Sequence, residues 1–93
     1  MNKNKLKVAR IKVAQIDKKI FSLIKKRTQI IKYMLSLKRF KKEIVNHKRN
    51  NEIFKKIRNR SIINGVDPKI TKRIWKAMIL SFVDFQRKNF KKK

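Results

Sequence analysis

The sequence predicts an all-α fold, and three observations carry that expectation. The 93 residues contain one glycine and one proline, both inside the stretch Asn64-Gly65-Val66-Asp67-Pro68, so helix breakers are confined to one place. On either side of that stretch, apolar residues recur at helical spacing. There is no cysteine, which removes a disulfide frame and any thiolate metal site or nucleophile. At this length the chain is expected to form a single domain over residues 1–93.

The first helix is expected over about residues 5–40. Its apolar face runs Val13, Ile16, Ile20, Leu23, Ile24, Ile30, Ile31 and Met34, with Lys18, Lys25, Gln29, Lys32 and Ser36 opposite. The period fails from Arg39 to His47, where charges cluster. Asn46 suits the N-cap of a second helix, about 47–64, with Ile53, Phe54, Ile57 and Ser61 inward. Gly65 fits the position that ends this helix, and Asp67 followed by Pro68 fits the cap and first turn of a third, about 68–89. Trp75, Met78, Ile79, Phe82 and Gln86 make the inward stripe of that helix. The Lys91-Lys92-Lys93 tail is expected to fray.

Helix lengths bear on the assembly. A helix of about 35 residues is about 50 Å long at 1.5 Å per residue. A compact globule of this size is about 33 Å across. The two shorter helices cannot cover such a stripe, so a helical partner is expected, and a second copy of the same chain is the simplest one. Cations interrupt the stripe too often for a plain coiled-coil seam.

The formal net charge is +25, from 30 Lys and Arg against 5 acids. Such a charge points to anionic partners of some kind. The basic residues spread over every helix and most aromatics lie on apolar faces, so nucleic acid is expected to bind only nonspecifically if at all. No segment approaches the roughly 18 apolar residues of a membrane span, and the N-terminus lacks the apolar run of a signal peptide. No membrane association is expected, and a cytoplasmic location is the default. With one histidine and five scattered acids, acid–base hydrolysis and metal chemistry have little to work with. Neither a metal nor another cofactor is expected.

Five polar residues stand out. Arg27 lies inside the apolar stripe of the first helix, where a cation is costly unless an anion pairs with it. Few acids are on offer, so the anion is expected to be a ligand. Lys38, eleven residues on, faces within about 20° of Arg27 on an unbroken helix. Arg10, seventeen residues before Arg27, faces elsewhere and suits the site of a partner chain. Arg49 opens the second helix, and Gln86 ends the aromatic stripe of the third. The plain alternative for any of the cations is snorkelling, with the stem buried and the charge in water.

In order and spacing, this constellation resembles the all-α chorismate mutase family. That family carries Arg–x₆–Asp near the start of a long helix, an Arg ten residues after the Asp, and a Lys eleven after that. Here these are Arg10, Asp17, Arg27 and Lys38. Arg49, the Gly65-Val66-Asp67-Pro68 turn and the run Met78-Ile79-Leu80-Ser81-Phe82-Val83-Asp84-Phe85-Gln86 follow in the family's order. The resemblance implies a three-helix subunit in an intertwined homodimer that binds a dicarboxylate, chorismate. Arg27, Lys38, Arg49 and Gln86 would come from one chain and Arg10 from the other. The arginines would hold the carboxylates, while Lys38 and Gln86 would act at the ether oxygen as the catalytic pair.

Three positions depart from the family pattern. Asn50 replaces the Glu that receives the ring hydroxyl, Phe82 replaces a carboxylate-binding Ser, and Asn46 replaces an acid common before the second helix. Asn46, Asn50 and Phe82 therefore join the expected substrate-binding set. The Asn50 and Phe82 changes are similar to those of a close relative, isochorismate–pyruvate lyase, which acts on isochorismate. That lyase, a basic helical nucleic-acid-binding protein and a mutase-like domain without activity are the alternatives to a mutase.

Overall fold

The computed structural model describes residues 2–91. It contains α1 over Lys3–Leu37, a single 3₁₀ turn over Lys41–Glu43, α2 over His47–Ile63 and α3 over Pro68–Asn89. No strand occurs among the described residues. Of the tail expected to fray, Lys91 is non-helical and exposed, and Lys92 and Lys93 lie outside the described residues. The chain divides into two compact units, one up to Ile31 and one from Lys32 onward.

The first unit is the body of α1. The helix starts at Lys3 rather than near Lys5 because the Asn2 side-chain oxygen accepts from Asn4 N and Lys5 N, both at 3.1 Å. That is the N-cap arrangement, which satisfies donors the first turn otherwise leaves open. No residue of α1 is buried. Val13, Ile16, Ile20, Leu23, Ile24 and Ile30 of the expected apolar face are all exposed.

The second unit holds the packed core. Ile44, Ile79 and Val83 are buried, and Leu35, Val45, Ile53, Phe54 and Phe90 pack against them. α2 and α3 form the principal helix pair. They also meet through a 2.7 Å hydrogen bond between the Ser61 and Thr71 hydroxyls, and Ser61 Oγ donates to Ile57 O at 2.6 Å.

The turn between them follows from its sequence. Gly65 takes φ +69°, a conformation costly for any residue with a Cβ. Val66 N then donates to Ser61 O at 2.9 Å and Gly65 N to Ile62 O at 3.3 Å, the paired bonds of a Schellman stop. Asp67 accepts from Lys69 N at 2.9 Å, and Pro68 occupies the first helical turn. At the other end of α2, Asn46 Oδ1 accepts from Arg49 N at 3.0 Å.

α1 stops at Leu37, three residues before the expected Phe40. The cause is Glu43. One of its carboxylate oxygens accepts from Arg39 N at 2.8 Å and from Phe40 N at 2.9 Å. These are the two amides that would otherwise continue the helical ladder. The chain then turns through Lys41–Glu43 and delivers Ile44 to the core.

The same contacts give this turn a pH dependence. The Phe40 amide foremost, then the Arg39 amide and the ammonium groups of Lys38 and Lys42, hold the Glu43 carboxyl below the usual carboxylate range against an opposing desolvation effect. A lowered folded-state pKa stabilises the turn above the unfolded value of about 4.3. That contribution is lost as pH falls through the folded value. The protection factors of the Arg39 and Phe40 amides should therefore be high at neutral pH and fall on acidification below about pH 4. Glu43→Ala should make exchange at both amides fast already at neutral pH.

Candidate functional site

The second unit brings Lys38 and Gln86 together. Lys38 is the residue directly after α1, and its N–H donates to Leu35 O at 3.1 Å. Gln86 shares a helical face with Ile79 and Val83, at i, i+4 and i+7, which puts an amide in the buried row of α3. It is only 4% exposed. Lys38 Nζ donates to Gln86 Oε1 at 2.7 Å, and Gln86 Nε2 donates to the Phe82 carbonyl at 3.2 Å. Both ends of the amide are thus engaged, and the amide is oriented by its partners.

Its environment perturbs Lys38. Burial pushes its ammonium below the usual lysine range, and the negative charge of Glu43 pulls it part of the way back. An ammonium has three donors and one is used on Gln86, so two remain for a ligand. Gln86 likewise keeps one amide proton beyond the bond to Phe82. The arrangement can present two hydrogen-bond donors, one of them cationic, to one acceptor.

The other expected residues take several positions. Asn46 is exposed, and its side-chain oxygen serves as the α2 cap. Asn50 is half-buried, with its backbone N–H on Asn46 O at 2.9 Å. Phe82 is half-buried and supplies the carbonyl that holds the Gln86 amide. Arg49 turns to Glu52, Nη1 to Oε2 at 3.8 Å, in an exposed pair one helical turn apart. Arg10 and Arg27 belong to the first unit. They lie about 25 Å apart along α1 and about 100° apart around it. Arg10 is exposed and Arg27 half-buried, and burial pushes the Arg27 guanidinium below its usual range.

Two clefts open on the α2–α3 pair, one lined by Phe54, Arg58, Pro68 and Lys72, the other by Arg60, Asn64, Val66 and Trp75. Neither includes Lys38 or Gln86. Among the described residues, no group of three or more His, Cys, Asp or Glu side chains could hold a metal ion. No described helix is long and apolar enough to cross a membrane.

Sequence reasoning missed Glu43, which read as part of a charged break. The available signal was its place three residues after Phe40, the spacing at which a glutamate reaches back to the amide before a helical turn.

Residues 9–87 match the family model for chorismate mutase type II. No curated protein and no solved structure matches the chain.

Stability measurements separate the two kinds of contact. Lys38→Met leaves the buried Gln86 oxygen without its donor and should cost roughly 1–3 kcal/mol. Arg49→Ala removes only an exposed pair and should stay within about 0.5 kcal/mol of wild type. Urea unfolding at one fixed protein concentration measures both. A neutral Lys38→Met would mean that the Lys38–Gln86 bond holds nothing.

Proposed function

We propose that this chain, which belongs to the chorismate mutase type II family, rearranges chorismate to prephenate. The observation that carries the proposal is the 2.7 Å contact between a half-buried ammonium and a buried amide. The reaction is a pericyclic shift within one molecule. The ether C–O bond breaks as a C–C bond forms, and negative charge grows on the ether oxygen. No acid, base, nucleophile or metal is required, which suits a chain with few groups of those kinds.

Two effects would do the work. Arg27 and Arg49, joined by Arg10 of the partner subunit, hold the two carboxylates and keep the substrate in its compact reactive conformer. Such restriction removes orientational freedom before the bonds change. Lys38 and the remaining amide proton of Gln86 donate to the ether oxygen as charge builds there, the larger source of selective transition-state stabilisation. With its oxygen taken by Lys38, Gln86 turns its nitrogen to the substrate. On this reading Arg49 leaves its exposed contact with Glu52, which is weak enough to exchange, and Asn46 and Asn50 line the ring-binding end beside Phe82.

An intertwined homodimer in the cytoplasm completes the proposal. Its support is the exposed apolar face of α1, which a second α1 would cover, and the placement of Arg10 on a different side of that helix from Arg27. Asn50 and Phe82 favour a second reading, isochorismate–pyruvate lyase, because Asn50 lacks the carboxylate that would take the chorismate ring hydroxyl. The net charge of +25 supports nonspecific nucleic-acid binding that weakens with salt.

Product analysis distinguishes the readings. The purified chain should convert chorismate to prephenate; salicylate and pyruvate from isochorismate would establish the lyase instead, and silence with both would remove the enzyme reading. Lys38→Ala should lower kcat by roughly 10²–10³-fold. Mixing refolded Arg10→Ala and Lys38→Ala chains should restore turnover, because each mixed dimer regains one intact site. Absence of that rescue would place Arg10 outside the partner's site.

A further inference from the structure

The backbone on which Lys38 stands is fixed from one side by a residue with no role in the proposed chemistry. α1 ends at Leu37, so Lys38 is outside the helical ladder. The two amides that follow it, Arg39 N and Phe40 N, both donate to a single oxygen of Glu43, at 2.8 and 2.9 Å. Glu43 N in turn donates to Phe40 O at 3.0 Å, and Ile44 N donates to Lys41 O at 3.2 Å. Ile44 is 6% exposed and sits in the core with Ile79 and Val83, on the same face of α3 that carries Gln86. The loop from Lys38 to Ile44 is therefore tied at one end to a carboxylate and at the other to the helix that bears the partner amide.

We propose that Glu43 is a positioning residue, which holds Lys38 in register with Gln86. The proposal rests on the mutase reading for its catalytic consequence, while the placement of Lys38 can be read without turnover. Two physical effects act together. The paired amide bonds set the direction in which the chain leaves α1, and so the point from which the Lys38 side chain extends. Glu43 also carries a negative charge that attracts the Lys38 ammonium in a chain where only five acids face thirty cations. Alternative exits from α1 would swing the long lysine stem toward water, where its charge is better solvated. Glu43 makes that exit unfavourable and leaves the ammonium beside Gln86.

The consequence is selective. Glu43 touches neither Lys38 Nζ nor Gln86 through a hydrogen bond, and its own hydrogen bonds are to backbone amides. Loss of the carboxylate should displace the donor at the ether oxygen more than the carboxylate-binding arginines, since Arg27 lies in α1 before the turn and Arg49 is held by the Asn46 cap of α2. Substrate binding should then suffer less than the chemical step, since an interaction made chiefly in the transition state affects kcat more than KM.

The test uses the full chain in three forms, wild type, Glu43→Ala and Glu43→Gln, with Lys38→Met as a reference for a Gln86 amide that has lost its ammonium. Two quantities are read: the side-chain amide resonances of Gln86, and kcat and KM for chorismate. Glu43→Ala should move the Gln86 resonances toward their Lys38→Met positions and lower kcat roughly ten- to a hundredfold, with KM changed less than about threefold. Glu43→Gln, which keeps an acceptor oxygen, should recover most of both losses. Unmoved Gln86 resonances in Glu43→Ala would overturn the proposal, as would moved resonances with kcat within about twofold of wild type. If Glu43→Ala fails to fold, Glu43→Gln alone decides: Gln86 resonances at the Lys38→Met position and kcat as low as in Lys38→Met would overturn it. Wild-type inactivity on chorismate would remove the mutase reading, and the resonances would still show whether Glu43 places Lys38.

Discussion

A single carboxylate oxygen that accepts from two consecutive amides shapes the region around the candidate site. Without Glu43 the amides of Arg39 and Phe40 would face the usual choice at a helix end, another turn of helix or water. With it, α1 stops at Leu37, the chain reverses within one 3₁₀ turn, and Ile44 enters the core. The location of Lys38 follows, because a lysine inside the helix and one just beyond it start from different directions. The Gln86 contact, the cap at Asn46 and the start of α2 all lie downstream of that reversal.

The electrostatics have a common logic. Arg27 and Lys38 are both partly withdrawn from water, and desolvation lowers both pKa values. A partly desolvated cation interacts more strongly with an incoming anion than a fully hydrated one, because the local dielectric is lower and less water must be displaced. The mutual repulsion of 30 basic side chains opposes compaction and also raises the local potential for any dianion that approaches. Under the proposed function, the substrate offsets the cost of gathering the cations. The apolar face of α1 and the partly buried Arg27 belong to the same account, since a helix with exposed aliphatics and an inset arginine is suited both to a second chain and to an anion.

Much of the fold is legible in the sequence because its signals are local. The lone Gly65 and the Asp67-Pro68 pair mark a stop and a start, and the bonds at Ser61, Ile62 and Lys69 realise them. Asn46 reads as a cap and is one. The inward positions Ser61 and Gln86 follow from helical period alone, and both are buried. The misses have a different origin. The end of α1 depends on a side chain reaching back across a turn, so periodicity ran on past Leu37. Asn2 escaped notice as a cap because it precedes the apolar period. Ile44 joins the core because of that same reversal, which no window on one helix contains, whereas Val83 lies on the face of Ile79 and Gln86 and was within reach of the period. The pairing of Lys38 with Gln86 is legible only through family resemblance, since 48 residues separate them. The roles proposed for Arg10 and Arg49 would depend on a partner chain and a ligand, and no local pattern in one chain contains them.

The turn between α2 and α3 has a kinetic consequence. Four residues join the two helices that form the principal packed pair of the second unit, and the Ser61–Thr71 bond closes a loop of only ten residues. Contacts so close in sequence lose little loop entropy on forming, and folding is fast where contact order is low. The α2–α3 hairpin is therefore suited to form on its own and early, before any encounter between chains. Under the proposed homodimer, a slow phase that depends on protein concentration would belong to α1, whose aliphatic face is exposed.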